Sequence, residues 1–340
     1  MDLLFSALIL LILTVISVYK LKRVNVEKDF MSVRMCNSIK AICSVIVVFV
    51  HIPLSHTNAI QNIISSFGYV AVTLFFAFSS YGVIKKIKEN SGYLKTFLFK
   101  RIILLLIPCV IINLIRLFLS YYLNSAWDFW IILKINDYVI SLLILYFIVW
   151  IVYSIKLVSI KYKDYLIIAL VLVASLLTYF TDIDILSIWP VEAIGFIYGI
   201  VLYRYFNEIK QWMNSKYLFK LFAFLFISML LGIVYIKTKH IYFFGEYLFR
   251  VFLSSSLVIS LLLICYKVYI SNSILDILHK VSFEIYLCHI FVLNFLDKVL
   301  EGKVVDYFIL LSFIIILFIA FIVSKLSGLI TRPIIRKLKL

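Results

Sequence analysis

Long apolar runs recur from one end of this 340-residue chain to the other, and they constrain its fold more than any motif does. A helix needs about 17–25 apolar residues to cross a bilayer. Eleven runs approach or meet that length, at residues 3–19, 39–54, 67–84, 102–122, 138–155, 165–180, 186–203, 217–236, 247–266, 281–296 and 305–323. Backbone groups in lipid must be satisfied within their own segment, so each run is expected to be helical. Hydrophobic residues make up 65% of the chain and charged residues 15%, which excludes a soluble globule, where the apolar share is about 45–50%. The expected fold class is all-α integral membrane, a polytopic bundle of about 11 transmembrane helices. No stretch between the runs is long enough for a second domain.

Basic residues give the expected orientation, because Lys and Arg accumulate in cytoplasmic loops. Of 33 such residues, 26 fall in alternate segments, 20–40, 85–101, 156–163, 204–220, 267–280 and 325–340. The opposite loops hold only Lys134, Lys237, Lys239, Lys298 and Lys303. An N-out/C-in topology follows, self-consistent with an odd number of helices. The first run has no basic residue before it and no small-residue cleavage site after it, so it reads as an anchor and not a removed signal. The net charge of +16 is then mostly topology, lying at lipid headgroups, and no nucleic-acid partner is implied.

Cys36, Cys43, Cys109, Cys265 and Cys288 show no C-x-x-C pair, and the five histidines show no metal-ligand spacing. No metal, bound cofactor, Gly-rich phosphate loop or G-x-S-x-G elbow is expected.

Within the apolar stretch "CSVIVVFVHIPL" (43–54), His51 is expected close to the middle of the lipid. A titratable group in hydrocarbon is costly unless it is paired or lines a cavity, so its default reading is functional. Lys40 lies eleven residues earlier, three turns plus about 20° around a helix and ~16.5 Å along it, on the same face. His289 lies nine residues past Lys280, or ~13–14 Å from the same boundary, so the two histidines are expected at similar depth. For His289, function and a histidine satisfied by a backbone carbonyl stay equally open. His56, beyond Pro53, points elsewhere, toward the outer interface.

These residues carry a family resemblance. "SIKAICSVIVVFVHIPL" (38–54) resembles the opening helix of the membrane-bound acyltransferase 3 family, in which a basic residue, ten residues and a histidine recur. "FGYVAVTLFFAFSSYGV" (67–83), "YLKTFLFKRIILLLIP" (93–108), "FIYGIVLYR" (196–204) and "VSFEIYLCH" (281–289) resemble that family's later motifs in the same order. Lys40 stands where many members have Arg, Ser80 replaces a Gly, and the first helix precedes the usual ten. The expected organisation is an extra N-terminal helix (1–24), an acyltransferase domain (35–330) and a basic cytosolic tail (331–340).

The resemblance implies transfer of an acyl group, usually acetyl, from cytosolic acetyl-CoA or another acyl-CoA as co-substrate. The acceptor would be a hydroxyl of a cell-surface polysaccharide or its lipid-linked oligosaccharide precursor, and the setting a bacterial cytoplasmic membrane. His51 and His289 would be the catalytic candidates. An imidazole can serve as general base or carry the acyl group itself, and both routes stay open. Lys40, Lys100, Arg101, Ser79 and Tyr81 would bind acyl-CoA. Near the outer side, Arg116, Glu192 and Arg250 are charges within helices, either a structural cluster or an acceptor-binding cleft. Trp127, Trp130 and Trp189 read as interfacial belt aromatics. The rival class is a lipid-linked glycan flippase, for which two matching halves are expected and none is found.

Overall fold

A computed structural model of the chain describes residues 2–90, 92–181, 189–300 and 307–338. Among them the architecture is helical. In chain order come α1 (Asp2–Val18), α2 (Val33–Val50), α3 (Ala59–Phe67), α4 (Tyr69–Glu89), α5 (Tyr93–Asn124), α6 (Trp130–Leu133), α7 (Asp137–Ser154) and α8 (Ile160–Thr181). There follow α9 (Pro190–Arg204), α10 (Phe206–Asn214), α11 (Tyr217–Thr238), α12 (Arg250–Lys267), α13 (Ser273–His279), α14 (Ser282–Val299) and α15 (Phe308–Lys337). Two short strands, β1 (Lys22–Arg23) and β2 (Val268–Tyr269), pair antiparallel and join the chain after α1 to the end of α12.

Eight segments are long and apolar enough to cross a membrane: α2, α3 with α4, α5, α6 with α7, α8, α11, the π-turn Phe244–Phe249 with α12, and α15. The chain is therefore a multi-pass membrane protein by helix composition. The other three expected spans also fall on helices, but α1 and α9 are shorter and α14 carries Glu284, Asp297 and Lys298. Residues 186–188 and 305–306 of two expected spans lie outside the described residues. Side-chain caps start several helices: Ser32 accepts from the Met35 amide, Asn58 forms a capping box with Gln61, and Asn272 caps α13.

The second helix ends earlier than the apolar pattern does. Pro53 disfavours helical backbone at the residue before it, and α2 stops at Val50 with His51 as its C-cap. His51 is consequently exposed at a helix end, not enclosed at mid-span.

Close helix packing centres on α4 and α9. Gly195 lies against the Thr73 carbonyl, and Gly199 against the Ala77 carbonyl and the Ser80 hydroxyl, so a Cβ at either position would overlap backbone oxygen. This small-xxx-small spacing lets two backbones approach, the main source of helix association where lipid removes the hydrophobic drive. Ser80, the residue that departs from the family motif, is thus seated opposite a glycine.

Polar ties fasten both ends of the bundle. At the lysine-rich end, buried Asp164 of α8 is paired with Lys88, with Arg204 at 3.2 Å and with the Tyr153 hydroxyl at 2.6 Å. Arg34 of α2 holds Asp276 of α13. At the far end Arg250 pairs with Glu192 at 2.8 Å and stands over the Tyr69 ring. The interior between is filled by Phe49, Phe76, Phe97, Tyr146, Phe196 and Phe308, while α8 and α11 turn Val173, Leu177, Phe219, Phe222 and Phe226 outward, as lipid-facing helices do.

Candidate active site

Near the lysine-rich end, a cavity of about 180 Å³ opens among α2, α4, α5, α7 and α14. Lys40, Ser79, Arg101, Tyr138, Tyr146, His279, Ser282 and Tyr286 line it. Three of the five residues expected to bind acyl-CoA, Lys40, Ser79 and Arg101, are brought together here. The Ser79 hydroxyl meets the Tyr146 hydroxyl at 2.5 Å, and the Arg101 guanidinium lies 5.3 Å from the centre of the Tyr146 ring. A cation held over an aromatic face is oriented without an acidic partner, which leaves the N–H groups that Tyr93 does not engage for an anion.

The other two expected binders lie elsewhere. Tyr81 is buried with its ring edge against Tyr203 and near Phe206, on the α9–α10 side. Lys100 is half-buried beside Arg101 but does not line the cavity. Successive helical residues point about 100° apart, which explains why Arg101 enters and Lys100 does not.

At the opposite end, a recess of about 490 Å³ is lined by Arg116, Ser120, Asn124, Asp128, Trp130, Lys134, Asn294, Asp297 and Lys298. A smaller one of about 220 Å³ shares Arg116, Lys134, Phe291 and Asn294 with it and adds Asn113 and Asp137. Arg116 therefore belongs to this recess and not to the Glu192–Arg250 pair, so the expected three-charge cluster is divided. Of the tryptophans, Trp130 lines the recess, Trp127 stacks on Tyr121 beside it, and Trp189 approaches Tyr138.

The two hollows are connected by shared helices. On α14, Ser282 and Tyr286 face the first cavity, while Leu287, Ile290 and Asn294 face the recess. His289 lies between these sets and is fully buried. Its ring centre is 4.9 Å from that of His51 and 5.5 Å from that of Tyr286, which in turn lies 4.6 Å from Tyr138. His289 Nδ1 meets the Tyr286 carbonyl at 2.6 Å and the Ile285 carbonyl at 3.3 Å. Carbonyls only accept, so the proton sits on Nδ1 and the Nε2 lone pair is available. Nε2 is buried and has no hydrogen-bond partner among the described residues. A buried imidazole with an unused lone pair, beside a second imidazole that is exposed, is equipped to accept a proton or an acyl group.

The acyltransferase 3 family model, described as an acyltransferase domain, matches residues 36–326. The chain belongs to the acyltransferase 3 family. The matched range of this membrane acyltransferase includes both histidines, Lys40 and the linings of both hollows, while α1 precedes it. Neither the curated proteins nor the solved structures gave a match.

Five residues of the first cavity escaped the sequence reading: Tyr138, Tyr146, His279, Ser282 and Tyr286. Two had a signal, since Ser282 and Tyr286 lie inside the family-like "VSFEIYLCH". His279 ends α13 outside the spans, where burial and the nearby Lys40 charge push its pKa down to about 4, against a smaller opposite pull from Asp276. His56, beyond the end of α2, is buried and stacked on Phe308, with Nε2 3.5 Å from Asp297 of the outer recess.

Proposed function

We propose that this acyltransferase moves an acyl group, acetyl in the simplest case, from acyl-CoA to a hydroxyl of an envelope polysaccharide or its lipid-linked precursor. The observation that carries the reading is the position of the His51–His289 pair between a cationic cavity and a polar recess. Excess Lys and Arg at the Lys40 end supports a cytosolic donor side, with the N-terminus outside and α1 added to a ten-helix domain. Lys40 and Arg101 would hold donor phosphate, and Ser79 would hydrogen-bond the donor.

The acceptor hydroxyl would enter from the recess, whose Asn294, Ser120, Asn124 and Trp130 suit a sugar. His51 takes the hydroxyl proton as oxygen attacks the thioester carbonyl. The new C–O bond forms, the C–S bond breaks, and the proton passes to the departing thiolate. The Nε2 lone pair of His289 offers that proton a second acceptor beside His51. An envelope setting in a bacterial cytoplasmic membrane is consistent with this two-sided arrangement.

The test is acetyl transfer in membranes. Vesicles carrying the protein should move radiolabelled acetyl from acetyl-CoA to added or endogenous glycan, and mass spectrometry should locate the ester. Glycan translocation with no ester formed would refute the proposal in favour of a transporter.

A further inference from the structure

The proposed reaction leaves one basic hollow unused. A recess of about 530 Å³ lies between the α13–α14 junction and the last turns of α15, lined by His279, Lys280, Ser324, Lys325, Gly328 and Arg332. Lys280, Lys325 and Arg332 are exposed, and none of them forms an ion pair among the described residues. The nearby acid Asp276 is already engaged by two guanidinium nitrogens of Arg34.

Topology explains why cations gather at this end, but not why three of them surround a hollow. Its walls are built. The Ser324 hydroxyl donates to the Lys280 carbonyl at 3.0 Å, fastening α15 to the junction. Gly328 leaves the wall open, since a Cβ there would meet only the far end of Arg332, at 3.8 Å and beyond.

Position adds the second argument. His279 lines both this recess and the cavity that contains Lys40 and Arg101, so the two hollows adjoin and lead toward the histidine pair. Acyl-CoA is a long molecule with its reacting thioester at one end and a 3′-phosphorylated adenosine at the other. From Lys280 to His289 α14 rises ~13–14 Å, a distance that the thin pantetheine arm can follow while a bulky nucleotide stays outside.

We infer that Lys280, Lys325 and Arg332 form a phosphate-ester site that takes the 3′-phosphate end of acyl-CoA, leaving the Lys40–Arg101 cavity to the diphosphate and the arm that follows it. This rests on acyl-CoA being the donor. Arg332 supplies a planar fork and the lysines mobile point charges, a set suited to a dianionic phosphate. A phospholipid headgroup presents the same chemistry, and the experiment separates the two.

Binding of CoA and of dephospho-CoA, which lacks only the 3′-phosphate, is measured by calorimetry on full-length protein in phosphatidylcholine nanodiscs. The wild type should bind CoA about tenfold more tightly, as expected for charge-assisted contacts to one phosphate. The K325A/R332A double variant should bind both at the weaker level, and K325R/R332K should recover most of the preference. Thermal unfolding of each variant checks the fold. Equal binding of the two nucleotides by wild type, or an undiminished preference in K325A/R332A, overturns the inference. So does co-purified anionic lipid that is lost in K325A/R332A without any change in nucleotide preference, which would assign the site to headgroups. These measurements need no turnover. A protein that discriminates CoA from dephospho-CoA yet transfers nothing would refute the acyl-transfer reading alone, whereas one that binds neither would refute the donor itself.

Discussion

The ring of His289 lies 4.9 Å from that of His51, although one is buried within α14 and the other caps the exposed end of α2. Replacing either with alanine should abolish transfer with the protein still folded, because each change removes a polar group without stranding a partner. Loss of a general base costs about 10²–10⁴-fold in rate. An obligatory acyl-imidazole would make the loss larger and would leave labelled acyl on protein quenched in the absence of acceptor. Retention of wild-type turnover by His51→Ala at normal abundance would remove His51 from the chemistry and leave His289 as the remaining candidate.

Glu192 and Arg250 form a largely shielded ion pair between α9 and α12, while Arg116 stands apart in the polar recess. The expected consequences differ. Glu192→Gln leaves a partly buried guanidinium without its carboxylate and should lower thermal stability by roughly 1–3 kcal/mol, with acceptor KM unchanged. Arg116→Gln should leave stability unchanged and raise acceptor KM. Reversed outcomes, read from melting curves and kinetics on the same preparations, would reassign both residues.

How much of this was legible in sequence depends on the range of the interaction. In its described residues each expected span falls on a helix because composition and local hydrogen bonding decide that, and the stop at Val50 was written in Pro53. Grouping Arg116 with Glu192 and Arg250 failed for a different reason. Sequence position gives depth along a helix, but which neighbours a residue meets depends on how helices are arranged around the bundle. The same limit applies to His51 and His289, whose similar depth could be read while their contact could not. Lys100 and Arg101 show it at its smallest scale, one residue apart with one lining the cavity.

Gly199 lies where α9 meets the Ala77 carbonyl and the Ser80 hydroxyl of α4. Gly199→Ala puts a methyl group into backbone oxygen, which cannot swing away as a side chain can. Overpacking of this kind costs typically about 1–3 kcal/mol. Ser80→Gly in the same chain should recover only part of that loss, since the carbonyl clash persists. Thermal unfolding in detergent measures both variants, and full recovery would show that the hydroxyl alone sets the limit.

His279 gives the pH dependence. It sits among Lys40, Asp276 and the Ser282 hydroxyl, and burial with the Lys40 charge holds its pKa at about 4, below the 6.5 of an unperturbed imidazole. Between those values the unfolded chain binds a proton that the folded protein does not, so acidification favours unfolding. Stability should be fully present above pH 6.5 and fall as pH drops toward about 4. The ceiling is about 3 kcal/mol for a shift of this size, and solvent reaching the partly exposed ring reduces it. His279→Gln keeps a polar side chain but cannot titrate, so its melting temperature should fall less between pH 7 and pH 5 than the wild type's. Equal slopes for the two proteins would mean that His279 is already protonated at neutral pH or faces water. In that case the wall shared by the two basic hollows would carry a positive charge of its own.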